Sequence, residues 1–220
     1  MKFAYPDLQA TSVQGLRLYE TPEGNFYPSI TTILGKTMPK EKADALKKWQ
    51  LSLGPLADKK SKEATDKGTA VHLLAERFLK GEELIKPGEK FDTNSISSFN
   101  GLKLKLKKVE EVWGQEVALY SDIIHVAGRC DCIAVYKGKP CIIDFKTSGR
   151  IKRDEDIEDY RLQLTAYAIM HNEMFGTEIY DGVILMSSDN GFPQEFNVNL
   201  LEYIEPLIER VNEFYANLQL

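Results

Sequence analysis

The chain has 220 residues, 43% of them hydrophobic and 28% charged, and a formal net charge of -5. That length supports one substantial core of single-domain size, and the acidic balance argues against a protein that coats nucleic acid unselectively while leaving room for a local basic groove. No apolar run reaches the roughly 18 residues that span a bilayer, and the opening MKFAYPDLQATSVQG has neither a signal-peptide apolar region nor an Arg-rich presequence, so a cytoplasmic protein without a membrane partner is expected.

Residues 1 to 34 carry turn and strand signals, with Gly15, Pro22, Gly24 and Pro28 punctuating β-branched runs such as YPSITTIL. From Lys42 to Leu53 the apolar Ala45, Leu46, Trp49 and Leu53 recur at helical spacing. A second helix from Thr69 to Leu79 puts Val71, Leu74, Ala75 and Phe78 on one face, with Gly68 as the junction before it. After a Gly and Pro loop, Asn94 can cap a helix whose Ile96, Phe99, Leu102, Leu106, Val109 and Trp113 keep the same period.

The period then falls to two. Residues 116–120, 123–128, 129–136 and 139–147 read as strands, with Tyr136-Lys137-Gly138-Lys139 as a hairpin turn. Residues 154–175 are helical again, 178–186 form a strand ending at a turn over 188–191, and 194–198 return beside it. A last amphipathic helix covers about 200–218. Helices at both ends of this series predict an α/β fold with one mixed β-sheet flanked by helices.

Cys130, Cys132 and Cys141 cannot all pair, and two of them alternate along one predicted strand, so they read as small buried apolar residues. Lysines cluster at residues 36–67 and at 103–108, each cluster readable as a solvated helix face or as a path for a phosphate backbone.

The segment CIIDFKTS is where chemistry is expected. Alternation puts Asp144 and Lys146 on one face of an apolar strand, and a carboxylate entering a core needs a cation beside it. Asp131 in GRCDCIAVY lies on the preceding strand, close enough across the hairpin to converge with Asp144. Two carboxylates and a lysine fit Mg²⁺ or Mn²⁺, with the lysine stabilising charge on a phosphate, although a structural Asp-Lys pair explains either feature taken alone. His72, on the helix beside Glu76, and the pair Gln163 and Tyr167, one helical turn apart, have ordinary packing readings by themselves.

Taken together, the ordered set GTAVH, GRCD, DFKTS and QLTAY resembles the PD-(D/E)XK nuclease superfamily in its RecB-like exonuclease branch, where a helix with GxxxH, a strand with GxxD, a strand with DxK and a helix with QxxxY follow in that order. From about Tyr27 to Tyr167, PSITTIL, KKWQ and CIAVYKGKPCIIDFKTS are also similar to the mitochondrial genome maintenance exonuclease group with its phage and bacterial relatives. The resemblance implies one restriction-endonuclease-like domain over residues 1–220, with residues 1–67 as an N-terminal strand and helical extension enclosing DNA and 68–220 as the catalytic core.

It further implies that His72, Asp131, Asp144 and the Phe145 carbonyl hold the metal, that Lys146 is the catalytic lysine, and that Gln163 and Tyr167 order the site and contact the DNA backbone. Glu116 would support the metal from an upstream strand, and Ser29, Thr31, Lys48, Trp49, Thr147 and Ser148 would contact substrate. The expected activity is metal-dependent exonucleolytic hydrolysis of single-stranded DNA or DNA ends in phage or bacterial replication, recombination or repair, beside a phage or host protein of that pathway. The lack of an organellar presequence points to a phage or bacterial setting. No iron-sulfur cluster is expected, because the upstream cysteine and C-terminal cysteine group of that branch are missing. A flap endonuclease, an RNA-directed enzyme and a catalytically silent DNA-end binder are the alternatives.

Overall fold

The computed structural model describes residues 2–189 and 192–218. Its centre is a five-stranded mixed sheet in the order β4-β5-β6-β7-β8, built from β4 Val109–Ser121, β5 Val126–Tyr136, β6 Lys139–Ser148, β7 Asp181–Ser188 and β8 Gln194–Asn199. All neighbours are antiparallel except β6 and β7, whose parallel pairing requires a crossover. Helix α5, Glu158–Phe175, makes that crossover after a 3₁₀ turn at Asp154–Ile157. The β5–β6 hairpin turns through Lys137 and Gly138, both at positive φ (50° and 80°), the backbone of a type I′ turn that only a glycine adopts without strain at its second position.

The alternation of β6 decides what lies on each side of the sheet. Ile142 joins one core cluster with Leu164, Ala166 and Tyr167 of α5 and with Leu207 and Val211 of α6, Ile204–Leu218. Cys141, Ile143 and Phe145 join the opposite cluster, with Val71 and Leu74 of α3, Leu56–Lys80, and Phe99 and Leu102 of α4, Thr93–Leu106. Each such side chain removed from water contributes about 1.5–3 kcal/mol, so both faces of the sheet are tied firmly to helices. The three cysteines are free and buried in these clusters.

Ahead of the sheet lie a separate antiparallel sheet of β1 Ala10–Val13, β2 Leu16–Glu20 and β3 Phe26–Pro28, then α1 Ile30–Lys36 and α2 Lys40–Leu53. No residue of α2 is buried. No helix among the described residues is long and apolar enough to cross a membrane.

Several expectations need correction. The strand-like ITTI is helical, because the Ser29 hydroxyl accepts the Thr32 N–H and caps α1 while Ile30, Ile33 and Leu34 bury at helical spacing. Gly68 interrupts nothing and lies within α3. Asp92, two residues before Asn94, caps α4 by accepting the Ser95 N–H at 3.0 Å. Val109 and Trp113 belong to β4, not to that helix, and the four expected strands before residue 148 are three long ones. The one mixed sheet flanked by helices is as expected, and the small antiparallel sheet at the N-terminus stands apart from it. Of the turn read at 188–191, Asn190 and Gly191 lie outside the described residues.

Candidate active site

The site forms where β5 and β6 part. Their paired register stops at Cys132 and Ile143, one residue short of Asp131 and Asp144. Beyond that point the Phe145 N–H donates to the Asp131 carboxylate at 2.9 Å, so a side chain replaces the neighbouring strand as acceptor and holds Asp131 at the opening. Asp144 shares the face of Ile142, is 1% exposed, and accepts from the Lys146 ammonium at 2.5 Å through Oδ1. Its other oxygen, Oδ2, is buried and has no hydrogen-bond partner among the described residues.

His72 enters from α3, on the opposite side of the sheet. Nε2 lies 2.6 Å from the Phe145 carbonyl oxygen, which can only accept, so the proton is on Nε2. In the neutral ring Nδ1 then carries a lone pair, facing Asp131 Oδ2 at 3.5 Å and Glu116 Oε1 at 4.0 Å. Glu116 is on β4 between Gln115 and Val117, which pair with Cys132 and Cys130 on either side of Asp131, and it has a positive φ of 50° that a side-chain-bearing residue adopts only under constraint. One ligand atom each from His72, Glu116 and Asp131 falls within 4.8 Å of the others.

The electrostatics follow from this crowding. Burial, and then the charge of Asp131, pushes the Glu116 carboxyl up to about 7. Burial also raises Asp144 above the usual carboxylate range, opposed by Lys146 and reinforced by Asp131. Burial works against the Lys146 ammonium, but Asp144 and Asp131 outweigh it and hold that group above its ordinary value. A histidine lone pair facing the carboxylates of Asp131 and Glu116 is a donor set that fits a hard divalent cation, and the orphaned Asp144 oxygen is a further buried donor without a partner among the described residues.

The other residues named from sequence fall in three places. Gln163 and Tyr167 lie beneath the site, 8% and 2% exposed, with the Gln163 amide donating to the Tyr167 hydroxyl at 3.2 Å. Thr147, Ser148 and Trp49 line a groove of about 720 Å³ with Lys60, Lys67 and Asn94. Thr31 is on α1, Ser29 precedes that helix and is taken up by capping it, and Lys48 is exposed on α2 outside that groove lining. The charge of the first lysine cluster is muted by ion pairs of Lys59 with Glu63, Lys62 with Asp66 and Lys67 with Asp189. The Phe145 carbonyl serves His72, which leaves it one further lone pair.

One neighbour of Lys146 escapes motif reading. The ammonium sits 5.0 Å from the ring centroid of Tyr160. The only signal in the sequence is spacing: Tyr160 precedes Gln163 by three residues and Tyr167 by seven, which puts all three on one face of α5.

No family model matches the chain. It is 31% identical over 179 residues to human mitochondrial genome maintenance exonuclease 1, covering 77% of this chain and 51% of that one. The mouse protein of the same name is 30% identical over 77% of this chain and 52% of its own. The chain thus spans about half the length of these curated relatives. Among solved structures, a proposed exonuclease from Eubacterium rectale covers 68% of this chain and 66% of its own at 9% identity and a TM-score of 0.44. Sequence likeness over three quarters of its length, joined to the four ordered motifs, makes the chain a member of the RecB-like nuclease family.

Proposed function

We propose that the protein is a Mg²⁺- or Mn²⁺-dependent DNA exonuclease that hydrolyses phosphodiester bonds of single-stranded DNA or of DNA ends. The gathering of one ligand atom each from His72, Glu116 and Asp131 within 4.8 Å of one another carries this reading, and the buried, unpartnered Asp144 Oδ2 lies near enough for the charges of Asp131 and His72 to act on it. His72, Asp131 and Asp144 would hold the ion, with Glu116 on its flank and the second lone pair of the Phe145 carbonyl within the same shell of donors. When bound, such an ion supplies Lewis-acid polarisation of a phosphate oxygen and a bound water of lowered pKa.

The chain's own residues do the rest. Asp144 keeps Lys146 charged and in place, so that the ammonium can neutralise charge building on phosphorus. Asp131 and the Phe145 N–H fix the mouth of the two strands. Gln163 and Tyr167 set the floor beneath it. The groove past Thr147 and Ser148 gives the strand its path, with Trp49, 40% exposed, as a stacking surface for a base. In this reading residues 1–67 enclose the strand and 68–220 form the catalytic core, in a phage or bacterial replication, recombination or repair setting with a protein of that pathway as partner.

The test is digestion of end-labelled linear and circular oligonucleotides with Mg²⁺, Mn²⁺ or EDTA. Metal-dependent shortening of linear strands, abolished by Lys146→Ala, is the expected outcome. Intact linear DNA with both metals refutes the activity, and cutting of circular strands refutes its exonucleolytic mode.

A further inference from the structure

We propose that Tyr160 is a positioning residue for Lys146, its ring face holding the ammonium where the reacting phosphate needs it. The inference rests on Lys146 being the catalytic lysine. A lysine reaches its place on a flexible four-carbon stem, so one hydrogen bond fixes its distance from a partner but not its direction. Here a second contact comes from another element: the ammonium is 2.5 Å from Asp144 Oδ1 on β6 and 5.0 Å from the ring centroid of Tyr160 in the first turn of α5.

The two contacts differ in what an ion does to them. Asp144 offers Oδ1 to Lys146 and keeps Oδ2 unpaired, and a cation drawn to Oδ2 takes up part of the same negative charge that restrains the ammonium. The quadrupole of an aromatic ring is not a metal ligand, so its attraction persists. The surroundings favour it, because the Lys146 side chain is 19% exposed and that of Asp144 1%, and cation–π attraction is strongest where water is excluded. The ring is itself packed against the core beneath α5, which fixes its plane. Asp144 therefore sets how far out the ammonium reaches and Tyr160 sets the direction in which it points.

The test uses the full chain with two independent readouts. In EDTA, carbon-13 NMR of labelled lysine, with Lys146 assigned from its loss in Lys146→Arg, should find the Lys146 ε-proton signal displaced upfield by the ring current of Tyr160. The displacement should persist in Tyr160→Phe and vanish in Tyr160→Leu. In Mn²⁺-dependent digestion Tyr160→Leu should lower kcat roughly tenfold with KM within about twofold, and Tyr160→Phe should restore it. Where the leucine variant unfolds, Tyr160→Met, which keeps bulk without a π face, takes its place. An undisplaced Lys146 signal in the parent, an unchanged kcat in Tyr160→Leu, or a phenylalanine variant as impaired as the leucine one overturns the assignment. If the parent degrades no DNA, the nuclease reading fails, while the NMR comparison still decides the contact.

Discussion

The ring of Tyr167 fills the space that a side chain at Gly128 would need: a Cβ there would lie 2.9 Å from Tyr167 Cε1 and 3.4 Å from Ile30 Cγ2. The glycine of GRCD is therefore required for close approach, since nothing about its own backbone demands it. Through this contact the strand that delivers Asp131 rests on the helix that delivers Gln163 and Tyr167. Gly128→Ala should destabilise the fold by about 1–3 kcal/mol, the usual range for overpacking. Thermal unfolding of Gly128→Ala, Tyr167→Leu and the double variant checks it, with the double variant more stable than the sum of the two single losses.

Trp49 provides a spectroscopic handle, because it is 40% exposed and the chain's second tryptophan, Trp113, is 6% exposed. Adding a single-stranded oligonucleotide in EDTA should quench the emission of Trp49 and leave that of Trp113. Trp49→Ala should weaken the strand by about 1–3 kcal/mol, the range for one base–aromatic stack, while leaving kcat unchanged at saturating substrate. Fluorescence and filter-binding titrations give both quantities.

At the far end of the sheet Glu195 of β8 gathers Lys105 at 2.9 Å, Lys108 at 3.3 Å and Lys137. Burial alone would raise its carboxyl, but hydrogen bonds from Lys137 and Lys105 win and hold it at about 2, against an ordinary 4.5. A depressed carboxylate stabilises the folded state fully above the unfolded value, and the gain is lost as pH falls through the folded one. Glu195→Gln should therefore cost about 3 kcal/mol near neutrality, and its deficit against the parent should shrink between pH 4.5 and about 2. Urea unfolding at several pH values measures it.

The motif strands are legible in the sequence because their apolar alternation is strong and the Lys137-Gly138 turn is distinctive. The placement of Asp131 and Asp144 at one end follows from that hairpin alone. Other features resist reading for definite reasons. Register shifts in β4 between Val109 and Glu111 and between Val112 and Gly114 break its alternation, so Val109 and Trp113 pass for the end of a helix. Gly68 signals a boundary only where nothing compensates it, and α3 runs on through it beside Thr147. Glu116 reaches the cluster through a left-handed backbone that no local pattern encodes. Tyr160 meets Lys146 only after β6 and α5 have docked.

Calorimetric titration of Mn²⁺ into the DNA-free protein bears most directly on the claim that these side chains form a cation site. The parent should bind with measurable heat, and Asp131→Asn and Asp144→Asn should each lose affinity at least about tenfold, as removal of a charged ligand demands. A parent that gives no heat, or two variants that bind as it does, would contradict the account.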